Sequence, residues 1–355
     1  MRRSIPLAAA LALLGCFAAR RDWAQNNEVN IQFHAFQDTR SVTVLTPAVD
    51  LSKDYTDRVT LRVNYALDAI SAASDSCARC HRDGVNNRRQ VVGFSVLQKF
   101  DVFKWTIGGA YSKENFYRAT TGLTSISRDF ANGNTTVAGG YSFSLNQPVL
   151  HPTVEQKNQY ANDAYVSVTQ TLTRTTIAQA GYEIGRIDGY QNNPYLRADV
   201  NGSMVLGNVP DLRIRHTLTA RVRQALPHDT FIEADYRRYT DDWQVTSNGF
   251  SVGASHRFTP QVLANFTYRR YDQSGAFFFQ PFYLGPVPEF YTADFRLEPF
   301  NSGLYTGRLV IAPKRALFGL PQGSGLLLQY ERYRADNGFE AGIFSTGVRV
   351  PLGSR

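Results

Sequence analysis

No stretch of this 355-residue sequence could cross a bilayer as a helix. Such a span needs about 20 apolar residues, and the main apolar run, residues 5–14, is far shorter. With 43% apolar residues and a mean hydropathy of −0.31, a bundle of membrane helices is excluded. Cysteine is nearly absent, with three in the chain, so a disulfide-dense framework is excluded as well. There is no basic run, and the net charge of +8 is dispersed, which argues against a nucleic-acid partner. No Pro- or Ser-rich linker and no charge block divides the chain, so a single domain is expected. No G-x-S-x-G nucleophile elbow is read, since Gly249-Phe250-Ser251-Val252-Gly253 fits the letters but falls within the candidate strand 247–258, and H-E-x-x-H does not occur. The loose catalytic candidates, His256 and the Asp241-Asp242 pair, lack a nucleophile–base–orienter set and read as ordinary rim or lumen residues. No catalytic residue is assigned, and an enzyme is not expected.

What is present is strict alternation. In residues 60–68, Leu61, Val63, Tyr65 and Leu67 share one face, and Arg62, Asn64 and Asp68 share the other. Side chains on a strand alternate between faces, so one face is apolar and the other wet. Residues 212–223 repeat the pattern: Leu212, Ile214, Leu218, Ala220 and Val222 alternate with Arg213, Arg215, Thr217, Thr219, Arg221 and Arg223. Four arginines on one strand face sit poorly in a soluble sandwich. They suit a barrel with lipid outside and water inside. The 19 Tyr and 23 Phe, against 3 Trp, suit aromatic girdles at the two membrane interfaces, although an aromatic-rich soluble β protein shares that composition.

Residues 1–24 read as an export signal and processed N-terminus, and residues 25–355 as the barrel. Arg2 and Arg3 precede a short apolar core, and Leu13-Leu14-Gly15-Cys16 resembles a lipobox, which would lipidate Cys16. Ordinary cleavage, for instance after Ala18, is the alternative. Removing residues 1–24 deletes four arginines and one aspartate and leaves a charge of +5.

Candidate strands fall near 28–38, 40–50, 57–69, 91–101, 103–115, 117–129, 134–146, 160–172, 174–188, 212–226, 229–241, 247–258, 260–273, 302–313, 323–335 and 339–352. The expected fold is all-β: a transmembrane antiparallel up-and-down β-barrel of about 16 strands, or 14 if the weakest patterns (first, second and sixth) fail. Short links are read at Lys53-Asp54-Tyr55, Asp101-Val102, Leu172-Thr173-Arg174, Pro227-His228-Asp229 and Thr259-Pro260. Long ones are read at 70–90, 147–159, 189–211 and 274–301. With both ends in the periplasm, every long link falls outside, as outer-membrane barrels prefer. The chain ends Val348-Arg349-Val350-Pro351-Leu352-Gly353-Ser354-Arg355, without a terminal aromatic assembly signal.

Pairing strands 212–226 and 229–241 across their turn predicts Arg223 opposite Glu233 and Arg221 opposite Asp235 in the lumen. This is either a structural ladder or a solute-selecting wall. Arg213 and Arg215 find no evident partner on the hairpin, which tilts the lumen toward anions.

The one chemical motif is Cys77-Ala78-Arg79-Cys80-His81. In C-x-x-C-H, two thiols can bond the vinyl groups of one haem while the next imidazole ligates its iron. On this reading Cys77, Cys80 and His81 bind covalent haem c, with His81 the metal ligand; Met204 and His151 are distant candidates for the sixth position. The alternatives are a Cys77–Cys80 disulfide, permitted in an oxidising compartment, or unmodified thiols.

Three stretches carry a family resemblance: Asp68-Ala69-Ile70-Ser71-Ala72-Ala73-Ser74; Gly181-Tyr182-Glu183-Ile184-Gly185 with Gly189-Tyr190-Gln191-Asn192-Asn193-Pro194-Tyr195; and Tyr236-Arg237-Arg238-Tyr239-Thr240-Asp241-Asp242-Trp243. Over most of residues 40–350 the chain resembles a bacterial outer-membrane family catalogued as domain of unknown function 3570. The resemblance implies a barrel and an outer-membrane address in a Gram-negative-type bacterium, but no reaction or substrate. The functional expectation is a porin-like channel or structural/assembly component whose outer loop bears the C-x-x-C-H motif. The alternative is a c-type haem electron-transfer protein. Expected partners are outer-membrane lipid, the barrel assembly machinery and, on the second reading, periplasmic or surface cytochromes.

Overall fold

A computed structural model describes residues 27–72, 85–114, 117–148, 157–192, 196–313 and 320–352. The chain forms β1 (Glu28–Asp38), β2 (Val42–Thr56), β3 (Val59–Ala72), β4 (Val85–Lys99), β5 (Lys104–Glu114), β6 (Tyr117–Phe130), β7 (Thr135–Pro148), β8 (Gln159–Thr171) and β9 (Thr176–Gly189). It continues with β10 (Arg197–Val200), β11 (Ser203–Leu206), β12 (Leu212–Leu226), β13 (Thr230–Asp241), β14 (Thr246–Thr259) and β15 (Val262–Gln273). Then come β16 (Phe282–Tyr283), β17 (Phe300–Ile311), β18 (Gly325–Ala335) and β19 (Glu340–Pro351). All but β10, β11 and β16 form one closed antiparallel barrel of 16 strands, with β1 paired to both β2 and β19.

Closure satisfies every wall strand's backbone groups on both sides, which a lipid environment requires. It also explains why the alternation is so strict. A one-residue slip would exchange the lipid and lumen faces of a strand. Leu218 and Val222 on β12 are 55% and 44% exposed, as expected for lipid-facing positions, while Thr217, next to Leu218, is 4% exposed on the lumen side. The first, second and sixth strands are all present, so the count is 16.

One predicted turn is displaced. Lys53-Asp54-Tyr55 lies within β2, and the chain turns at Asp57-Arg58. Asp54 is held in the strand because its N–H donates to Asn27 Oδ1 at 2.8 Å and its carboxylate accepts from Thr60 Oγ1 at 2.6 Å. Polarity at a strand's watery end thus mimicked a turn. The four long connections 73–84, 149–158, 190–211 and 274–299 all leave the same end of the barrel, as expected, but the 312–324 connection at the other end is longer than the turns beside it.

Among the described residues, two of the outer connections carry further strands. β10 and β11 form a hairpin, and β16 adds in parallel to β10. Val209, Trp243, Val245, Ala276 and Phe278 pack as a core beneath, so connections 190–211 and 274–299 meet over the β13–β14 turn as an outer cap. The Tyr283 hydroxyl accepts from Gln280 and Thr292 N–H at 3.1 and 2.8 Å and donates to Phe278 O at 2.6 Å. Burial pushes this phenol above its usual range.

Candidate functional site

The lumen face of β12 and its neighbours concentrates the charge. Arg223 Nη2 lies 2.7 Å from Glu233, and Arg221 binds Asp235, in the register that the hairpin dictates. Arg213 and Arg215 also have partners, contrary to the sequence expectation. Arg213 Nη2 is 2.5 Å from Asp241, whose direct opposite is Arg215, two positions further along β12, so this is a diagonal that simple opposite pairing misses. Arg215 Nη2 reaches Asp163 on β8 at 2.6 Å, across the whole of β9. It can do so because Gly185 stands between them: a Cβ there would come within 2.9 Å of the Arg215 guanidinium.

Asp241 is a structural hub. Its side chain is fully buried, and it accepts from Arg213 Nε at 2.8 Å, Tyr239 hydroxyl at 2.7 Å and Val245 N–H at 2.9 Å. The Arg213 guanidinium in turn stacks 4.3 Å from the Trp243 ring, and Trp243 donates to Leu212 O at 2.9 Å. Thus the ladder's upper end also anchors the outer cap. His256 sits on the lipid-side face of β14, bonded to Thr230 Oγ1 at 2.8 Å, and is not grouped with Asp241.

The unbalanced positive charge lies further round the wall. Arg237 on β13, Arg257 on β14 and Arg269 on β15 have lumen-facing positions and make no ion pair with any described residue. Glu331 on β18 attracts Arg269 from across β17. Between Arg237 and Arg269 the lumen face of β14 is Ser247, Gly249, Ser251, Gly253 and Ser255, so no large side chain of β14 separates the two arginines. The sequence reading missed this arc because the arginines lie on different strands, and register alone brings them together.

On the opposite arc, Arg89 lies 3.6 Å from Asp68, and Asp68 accepts from Thr46 at 2.6 Å. His34 Nδ1 is 2.7 Å from Ser345 Oγ, but Ser345 is only 3% exposed. Cys16, Cys77, Cys80, His81 and His151 lie outside the described residues. Met204 is on β11 of the cap, 53% exposed. Among the described residues no group of three or more metal-ligating side chains occurs.

Comparison with solved structures gives the same architecture. The crystal structure of Pseudomonas aeruginosa OccK5 (OpdH) matches with a TM-score of 0.50 at 8% identity, over 93% of this chain and 100% of that one. The outer membrane protein OpdK from Pseudomonas aeruginosa matches with a TM-score of 0.49 at 8% identity, over 92% of this chain and 97% of that one. The CymD monoaromatic hydrocarbon channel gives 0.46 at 9% identity, over 97% and 93%. At such identities the likeness is one of fold, that of Gram-negative outer-membrane barrels. No curated protein matches the sequence. A family model does match, over residues 80–337, and the chain therefore belongs to the family described as protein of unknown function DUF3570.

Proposed function

We propose that the protein is a diffusion channel of the outer membrane whose lumen favours small anionic solutes. The observation that carries this reading is the arc of Arg237, Arg257 and Arg269, facing a furrow of serine and glycine on β14. Guanidiniums on a water-filled wall attract anions and present donors to carboxylates and phosphates. The paired ladder of Arg213, Arg215, Arg221 and Arg223 contributes little net charge, because each has a carboxylate partner. It braces the wall beside the furrow. Liposomes containing the purified barrel should swell faster in a small dicarboxylate than in a cation of similar size. Equal rates, or no swelling with a folded barrel, would count against this reading.

The Cys77–His81 motif supports a second reading, in which the outer connection carries haem c. There Cys77 and Cys80 would form the thioethers and His81 the iron ligand, with electrons exchanged through partner cytochromes. Intact mass and the visible spectrum of the protein from a host with cytochrome maturation decide it. A mass raised by one haem with a reducible Soret band supports this reading; a haem-free mass two protons below the reduced chain assigns a disulfide instead.

A further inference from the structure

On the lipid-facing side of the barrel, the pairing register defines rows of side chains that run across the strands. One row across β14, β15, β17 and β18 reads Val252, Tyr268, Tyr305 and Arg332. The next row toward the outer rim reads Phe250, Arg270, Gly303 and Arg334. The Tyr268 and Tyr305 rings lie 4.8 Å apart and mark the aromatic girdle. The row above a girdle sits among lipid headgroups.

Two arginines therefore flank a glycine at headgroup depth. A Cβ on Gly303 would meet only the Tyr268 ring, at 3.5 Å, and the Arg269 carbonyl, at 4.0 Å, so the space above it is empty. The result is an open cleft of about 240 Å³, lined by Tyr268, Arg270, Asn301, Gly303, Arg334 and Asp336.

The surrounding carboxylates are already engaged. Asp336 accepts from the Asn301 N–H at 3.0 Å and its amide at 2.9 Å, which holds its carboxyl below the usual range. Glu340 binds Arg332 and lies 3.6 Å from Arg334 Nε. Asp272 accepts from Asn248 at 2.9 Å, and Asn248 accepts from Arg238 at 2.9 Å. Arg270 alone of this group has no hydrogen-bond or ion-pair partner among the described residues, and it is exposed. A guanidinium held at this depth, with five donors and no protein acceptor, is matched to a phosphate group.

We propose that this cleft binds a phosphate-bearing headgroup of the outer-leaflet glycolipid. Arg270 and Arg334 clamp the phosphate from both sides of Gly303. The upper part of the lipid rests on Tyr268 and Tyr305, and its acyl chains run down over the apolar rows below. A lipid source is favoured over free phosphate because the cleft opens on the barrel's outside and is continuous with its girdle.

The test uses the detergent-purified, folded barrel in native mass spectrometry. The probes are diphosphorylated lipid A, the same lipid stripped of its phosphates, and inorganic phosphate. The phosphorylated lipid should be retained at least ~10-fold better than the stripped one, as expected for charge-assisted bonds to phosphate. The R270Q/R334Q double variant and, separately, the cleft-filling G303L should each lose at least that factor. Both should keep the heat-modifiable migration of a folded barrel. Equal retention of the two lipids would overturn the proposal, as would retention unchanged in both variants. Displacement by inorganic phosphate at sub-millimolar concentration would overturn the lipid assignment in favour of a soluble-anion site.

Discussion

Asp241 shows how much of this molecule is decided by single buried charges. Its carboxylate is shielded from solvent and serves Arg213, Tyr239 and the Val245 N–H together. Removing one member of such a set strands the others, at a cost of about 3–5 kcal/mol for a buried pair. Asp241→Ala should therefore destabilise the β13–β14 turn by roughly that amount. Hydrogen exchange should show the loss at residues 241–246 while the rest of the barrel stays protected. Unchanged exchange there would mean that the hub is not what holds the turn. The opposite-charge pairs Arg221–Asp235 and Arg223–Glu233 were legible in the sequence, since a hairpin with a tight turn fixes who faces whom. The longer reach of Arg215 was not. It depends on a glycine on the intervening strand, and nothing in a linear sequence says that Gly185 lies between Arg215 and Asp163.

At the scale of elements, the wall strands were readable and the cap was not, for the same reason. A wall strand has lipid on one face and water on the other, so its sequence must alternate. The alternation makes a sharp prediction: Leu218→Arg, on the lipid face of β12, should cost about 2–4 kcal/mol, whereas Thr219→Gln, on the lumen face, should be close to neutral. Refolding titrations into lipid vesicles compare them directly, and equal costs would contradict the assigned faces. The cap strands β10, β11 and β16 are two to four residues long, too short for any period to register. One signal was there to be read. Asn201-Gly202 joins β10 to β11 with φ of 51° and 81°, the positive-φ pair of a two-residue hairpin turn that Asn-Gly favours. The cap's own core makes Trp243→Ala a test of its integrity. The loss should be near 3–5 kcal/mol, as for other buried Trp truncations. Proteases added to intact cells should then cut within 190–211 and 274–299, in a variant whose barrel still migrates as folded. Continued resistance would show that the cap does not depend on this core.

At the scale of the whole molecule, 16 strands closed on themselves leave a lumen whose character is set by the difference between its arcs. From β8 to β13 arginine and carboxylate alternate across the ladder, and the charges largely cancel. From β13 to β15 no ion pair among the described residues cancels Arg237, Arg257 or Arg269, and β14 places only small residues between Arg237 and Arg269. The central claim is thus that uncancelled arginine in one arc gives the pore its preference. The most direct test is the reversal potential of the purified barrel in a planar bilayer under a KCl gradient, for the native protein and for R237Q/R269Q. Anion preference in the native channel that falls toward neutral in the double variant, at similar conductance, is the predicted result. A cation-preferring native channel, or a preference untouched by removing both arginines, would contradict the account.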